Sequence, residues 1–179
     1  MTLSFQPEMK PSLTDTLCTR CGLCCDGSLF ADVELAGSDE AAALEVMGLE
    51  IEDDEDNGEL LLQPCRALKG KRCGIYPHRP DCCRTFECRL FQEVKRGAVS
   101  VEWAKVKIAE ALQRIDRVKE LAIQLRLSNE HLPLKERCGE ALALSEEADA
   151  DPEMNRKRAE LQAAMTSVES LIEATFLGG

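Results

Sequence analysis

Cysteine is the residue type in this chain with the most chemistry in it. Ten are present, nine of them between Cys18 and Cys88, and the first four read Cys18-x2-Cys21-x2-Cys24-Cys25. A thiolate is a strong ligand for soft and borderline metals, and two intervening residues let one backbone turn aim two sulfurs at a single ion. Downstream stand Cys65, Cys73, Cys82-Cys83 and Cys88. They are embedded in Pro64-Cys65-x2-Leu68, Cys73-x-Ile75-Tyr76 and Arg79-Pro80-x2-Cys83-Arg84-x-Phe86. The chemistry to expect is metal chelation by clustered thiolates.

Three readings of the thiols compete on physical grounds. Eight ligands suffice for two tetrahedral zinc or iron sites of four thiolates each, or for a binuclear site with bridging sulfurs. Alternatively, Cys18-x2-Cys21-x2-Cys24 copies the first three ligands of a bacterial ferredoxin run, whose fourth can come from far along the chain. The usual Cys-Pro pair is missing there, because Cys25 follows directly and is itself followed by Asp26. A disulfide scaffold would need an oxidising compartment, and adjacent cysteines such as Cys24-Cys25 pair only through a strained ring. A purely structural metal, standing in for an aromatic core, competes with sensing, storage or delivery, since a closed four-thiolate site leaves no position for substrate.

The ordered set of motifs from Cys18 to Cys88 resembles the YkgJ-like family of zinc- or iron-chelating cysteine-cluster proteins, whose signature is C-x2-C-x2-C-C. Carried over by position, the resemblance implies Cys18, Cys21, Cys24, Cys25, Cys65, Cys73, Cys83 and Cys88 as metal ligands. Cys82 is additional to that pattern, and Cys138 lies outside it. The cofactor implied is zinc or iron ions, with an iron–sulfur cluster as the alternative. Some relatives carry the cluster within a protein lysine methylase, so the alternative function is an iron–sulfur protein acting as an enzyme, for example in protein methylation, or as an electron carrier. No glycine-rich nucleotide-binding fingerprint accompanies the cysteines.

The remaining candidates are weaker. His78, inside the cluster, could be a ligand, although a surface histidine is the default; His131, before Pro133, reads as a helix-start residue. Asp81 and Glu87 read as solvated carboxylates, Tyr76 and Phe86 as packing over a metal knuckle. Arg66, Lys69, Arg72, Arg79, Arg84 and Arg89 could offset thiolate charge, with Arg79 or Arg84 hydrogen-bonding a thiolate or carboxylate. Cys138, at helical spacing, reads as a small buried apolar residue.

The elements that must position these residues follow from composition and periodicity. With 179 residues, a net charge of −11 and 4% aromatics, the chain is long enough for one domain with an extension but has little aromatic core to offer. Its acidity argues against nucleic acid and anionic membranes as partners. The charge is segregated: Asp32 to Glu59 holds twelve acidic residues and no Lys or Arg, while Cys65 to Arg96 holds nine basic against three acidic residues. The acidic run Glu52–Asp56 reads as a solvated loop. Pro7 and Pro11 make residues 1–17 a polar lead-in, and Cys18 to Gly27 a tight knuckle-like turn with Gly22 at positive φ. Alternation suggests short strands at Leu29–Leu35 and Leu60–Leu62, and Ser38 can cap a helix through Met47 ended by Gly48.

Beyond Gly97 the pattern changes. Val101, Ile108, Leu112, Ile115, Val118, Ala122 and Leu125 recur at helical steps, Pro133 can open a second helix to about Ala148, and Asp151-Pro152 a third. The expectation is an α+β protein: residues 1–97 as a cysteine-cluster metal-binding domain, and residues 98–179 as an extension of two or three antiparallel helices. The helices either pack back on the cysteine region or offer a surface to a protein partner, and a monomer or homodimer would suit them. No secretory signal or membrane-spanning run is visible, which points to a cytoplasmic location where thiols stay reduced.

Overall fold

The computed structural model describes residues 11–127, 129–143 and 151–178. It is an α+β fold. The first element among the described residues is a helix, α1 (Leu13–Cys21), where the sequence suggested an irregular lead-in. The reason is local. Ser12 Oγ accepts from the Asp15 N–H and Asp15 reaches back to the Ser12 N–H, a capping box that starts the helix one residue after Pro11. Cys18 and Cys21 therefore stand on the last turns of a helix, and the knuckle begins only at Gly22.

A small antiparallel sheet follows. Strands β1 (Asp32–Glu34), β2 (Ile51–Asp54) and β3 (Gly58–Leu62) lie in the order β1-β3-β2, with Leu61 opposite both Val33 and Ile51. Helix α2 (Ser38–Val46) links β1 to β2 and buries Ala41 and Leu44. Gly37, not Ser38, is its N-cap. Glu52–Asp56 departs from the loop expectation: its first part is strand β2. Asp54 Oδ1 then accepts from the N–H groups of Asp56 and Asn57 and from Asn57 Nδ2, closing the hairpin. Those three hydrogen bonds also hold the Asp54 carboxyl below its ordinary range. Leu61, 2% exposed, anchors a core with Leu35, Ala41, Leu44, Leu49 and Ala67. Burying one such leucine stabilises by about 1.5–3 kcal/mol.

The chain then narrows into short pieces: the two-residue strands β4 (Leu68–Lys69) and β5 (Arg72–Cys73), a 3-10 turn at Tyr76–His78, α3 (Asp81–Thr85) and α4 (Arg89–Lys95). Three longer helices complete the fold: α5 (Val101–Gln124), α6 (Leu134–Ala143) and α7 (Pro152–Ile172), the last running into a π-helical turn at Glu173–Leu177. Ser100 caps α5, while Asp151 caps α7 with Pro152 in its first turn, as the sequence indicates. The expected end of α6 near Ala148 lies outside the described residues.

The larger core joins the two halves. Ile108, Ile115, Val118 and Leu121 of α5 pack with Leu161, Met165 and Val168 of α7, and with Leu17, Leu23 and Leu90 from the cysteine region. Arg114 ties α5 to α7 by donating to the Ser167 carbonyl at 3.0 Å and to Ser167 Oγ at 2.9 Å. Leu134 N–H donates to the Gly27 carbonyl at 3.0 Å, docking the start of α6 on the knuckle. The helices thus back the side of the cysteine region that holds Cys21 and Cys88.

Candidate metal centre

The knuckle is built outward from α1. Cys18 and Cys21, three residues apart, share a face of the helix. Gly22 ends it in the left-handed region, φ 78°, which reverses the chain at no steric cost. The N–H groups of Cys25 and Asp26 both return to the Gly22 carbonyl, at 2.9 and 3.1 Å, and Leu23 between them is fully buried. Cys24 and Cys25 thus leave a tight turn in sequence.

The later cysteines reach the same region by separate routes. Cys65 N–H donates to the Cys25 carbonyl at 2.8 Å and to Gln63 Oε1 at 3.0 Å; Gln63 is 4% exposed and is a residue sequence reasoning passed over. The β4–β5 pair sets Cys73 opposite Leu68, whose own N–H donates to the Cys65 carbonyl. The next residue, Gly74, packs tightly here: a Cβ on it would stand 3.0 Å from the Ala67 carbonyl oxygen, closer than most side chains come to backbone. Cys82 and Cys83 ride on α3, and Cys88 is the N-cap of α4.

The thiols fall into two sets. Cys18 couples electrostatically to Cys88, and Cys21 to Cys88 and Cys18. Cys24 couples to Cys21 and Cys88, then to its chain neighbour Cys25 and to Cys18. In contrast, Cys25 couples first to Cys65 and Cys73, Cys65 to Cys73, and Cys83 to Cys82, Cys25 and Cys65. Apolar packing draws the same line. Cys21 and Cys88 lie against the helical core, whereas Cys65, Cys82 and Cys83 lie against the sheet core. The sets are Cys18, Cys21, Cys24, Cys88 and Cys25, Cys65, Cys73, Cys82, Cys83, with the border between Cys24 and Cys25; Cys82 is the member additional to the C-x2-C-x2-C-C pattern.

All ten cysteines are free thiols. Loss of hydration is the leading cause that raises Cys18 to about 11, and Cys21 and Cys25 to about 12; it also raises Cys24, Cys65 and Cys88. Cys82 and Cys83, with sulfurs 4.0 Å apart, are pushed in opposite directions by their mutual hydrogen bond, Cys82 down to about 7 and Cys83 up. Among the described residues, no three Cys, His, Asp or Glu side chains are already drawn around a common point as an ion would draw them. The donor chemistry nevertheless fits zinc or iron: each set holds at least four sulfurs, partly buried except at the exposed Cys18, and close enough to feel one another's charge.

Other candidates sort clearly. Cys138 is fully buried in the helical core. His78 and His131 are exposed. Glu87 pairs with Lys95 at 2.7 Å, and Phe86 makes an edge contact with Phe30. Of the cations expected near the thiols, Arg66 pairs with Glu50 and Arg89 with Glu93. Arg84 instead donates to the carbonyls of Arg79 and Pro77. Arg79 alone of the six stands among the leading electrostatic influences on the thiols, favouring the thiolate at both Cys18 and Cys25.

No helix among the described residues is long and apolar enough to cross a membrane. No curated protein and no solved structure matches the chain. A family model does, over residues 17–126, a stretch that takes in every cysteine of both sets and all of α5. The chain belongs to that family, CxxCxxCC, described as "Putative zinc- or iron-chelating domain".

Proposed function

We propose that this protein holds two zinc or iron ions in two separate four-thiolate centres, Cys18/Cys21/Cys24/Cys88 and Cys25/Cys65/Cys73/Cys83. The division of the thiols into two sets carries this reading, with Cys82 left out of the second centre as additional to the family pattern. Bound there, an ion would supply charge to hold four thiolates deprotonated and a crosslink between segments distant in the chain. The first centre would tie α1 to the start of α4, and the second the knuckle to β5 and α3. Without metal, burial favours the protonated thiol at Cys21, Cys24, Cys25, Cys65 and Cys88, so loading requires the sulfurs to turn inward and release protons.

Closed four-thiolate centres leave no ligand position for substrate, which favours metal holding over catalysis at the ions themselves. Ten free thiols accord with a reducing, cytoplasmic setting. The test is anaerobic purification followed by metal analysis and a visible spectrum. About two ions per chain are expected, with elemental analysis telling zinc from iron, since four-thiolate zinc and ferrous iron are both colourless and only ferric iron is reddish. Broad brown absorption with several irons and inorganic sulfide per chain would replace mononuclear centres by iron–sulfur clusters. Metal-free protein with all thiols titrating freely would overturn the reading.

A further inference from the structure

Of the nine cysteines between Cys18 and Cys88, eight fill the two centres and Cys82 is left over. Its Sγ lies 4.0 Å from Cys83 Sγ. Sulfurs around one four-thiolate zinc ion stand at a similar spacing, roughly 3.8 Å for Zn–S bonds near 2.3 Å. Cys82, Cys83 and Cys65 all pack against the sheet core, so the spare sulfur belongs to the second centre by contact. Helix α3 presents the pair from a fixed position. Glu40 of α2 accepts from the Asp81 N–H at 3.0 Å, and Arg79 Nη1 donates to the Cys83 carbonyl at 3.3 Å. None of the five residues of α3 is buried, so the pair stands where an outside metal donor or acceptor can reach it.

A tetrahedral ion takes four thiolates, which leaves Cys82 no corner of its own. On the two-centre reading, we propose that Cys82 is the exchange ligand of the second centre, taking the corner of Cys83 as metal enters or leaves. The step is a ligand substitution. The metal–sulfur bond to Cys83 breaks and one to Cys82 forms; Cys82 gives up its proton and Cys83 takes one up. Charge and coordination number are conserved, and nothing is oxidised. Adjacent helical residues leave the axis about 100° apart, so the two sulfurs hold the ion in turn, and the corner of Cys25 has no such substitute. A tethered sulfur acts at an effective concentration on the order of millimolar, so it meets the ion far more often than a free thiol does. Sliding toward Cys82 draws the ion outward along α3, and an incoming acceptor completes the transfer. The first centre has no spare sulfur. It keeps its metal, and the second centre trades.

The test is zinc release from the loaded full chain into an excess of a chromophoric zinc chelator. The wild type should give up two equivalents in separate phases. Cys82→Ala should still hold two zinc ions but release the faster equivalent about tenfold more slowly, with the slower phase unchanged. Cys83→Ala should also hold two, because Cys82 takes the vacated corner, and the double variant should hold one. A single release phase in the wild type, wild-type rates or an equal slowing of both phases in Cys82→Ala, or only one ion in either single variant would overturn the proposal and leave two centres standing. If Cys82→Ala does not fold, Cys82→Ser decides by the same readings. A wild-type chain that binds no second equivalent defeats the two-centre reading itself, and the exchange ligand with it.

Discussion

Protonation of the buried thiols sets how this protein responds to pH. In the folded, metal-free chain Cys21 and Cys25 both keep their protons up to about 12, because burial disfavours the thiolate. An unfolded chain releases them near ~8.5. Above that pH the unfolded state binds fewer protons than the folded one, so stability falls as pH rises. Metal-free protein should therefore keep its full stability below about pH 8.5 and lose it progressively between about 9 and 12. Urea unfolding across that range checks this; a flat profile to pH 12 would contradict it. Metal reverses the sign, since it requires thiolates and competes with protons. Loading at pH 7 should release about four protons per ion, measurable by calorimetry in buffers of different ionisation enthalpy. Cys138→Ser, within the helical core and outside the family's cysteine pattern, should leave metal content at the wild-type value by elemental analysis.

At the scale of elements, α1 and the turn after it aim half of the ligands. Gly22 occupies φ 78°, so Gly22→Ala should cost about 1–2 kcal/mol and shift Cys24 and Cys25 relative to Cys18 and Cys21. Thermal unfolding with a metal assay would show lowered Tm and weakened zinc; an unchanged Tm would contradict it. The glycine was legible in the sequence, as were α5, α7, strand β3 in part, and the family of the cysteines. Two things were not. Helix α1 was hidden because Pro11 reads as a breaker, yet it stands one residue outside a Ser12–Asp15 capping box. The partition of thiols was hidden because spacing brings Cys24 and Cys25 together, and only tertiary packing of β5, α3 and α4 shows which later cysteine each one meets.

Across the whole molecule, the cysteine region does not rest on metal alone. Leu17, Leu23 and Leu90 share one core with α5 and α7, and Gly27 accepts from the first turn of α6. The first centre draws Cys18 and Cys21 from α1, which packs on α5, while the second is backed by the sheet core. A chain ending at Gly97 should thus lose zinc at the first centre more severely than at the second. Titration of that fragment checks this, and equal retention of both equivalents would contradict it.

The most direct measurement is metal content per chain in anaerobically purified wild type, Cys24→Ser and Cys25→Ser. Two adjacent cysteines serving two different centres predict about two ions in the wild type and about one in each variant, with the two losses adding to none in the double variant. If either single variant lost all metal, or both variants kept two ions, the division of the thiols between two centres would be wrong.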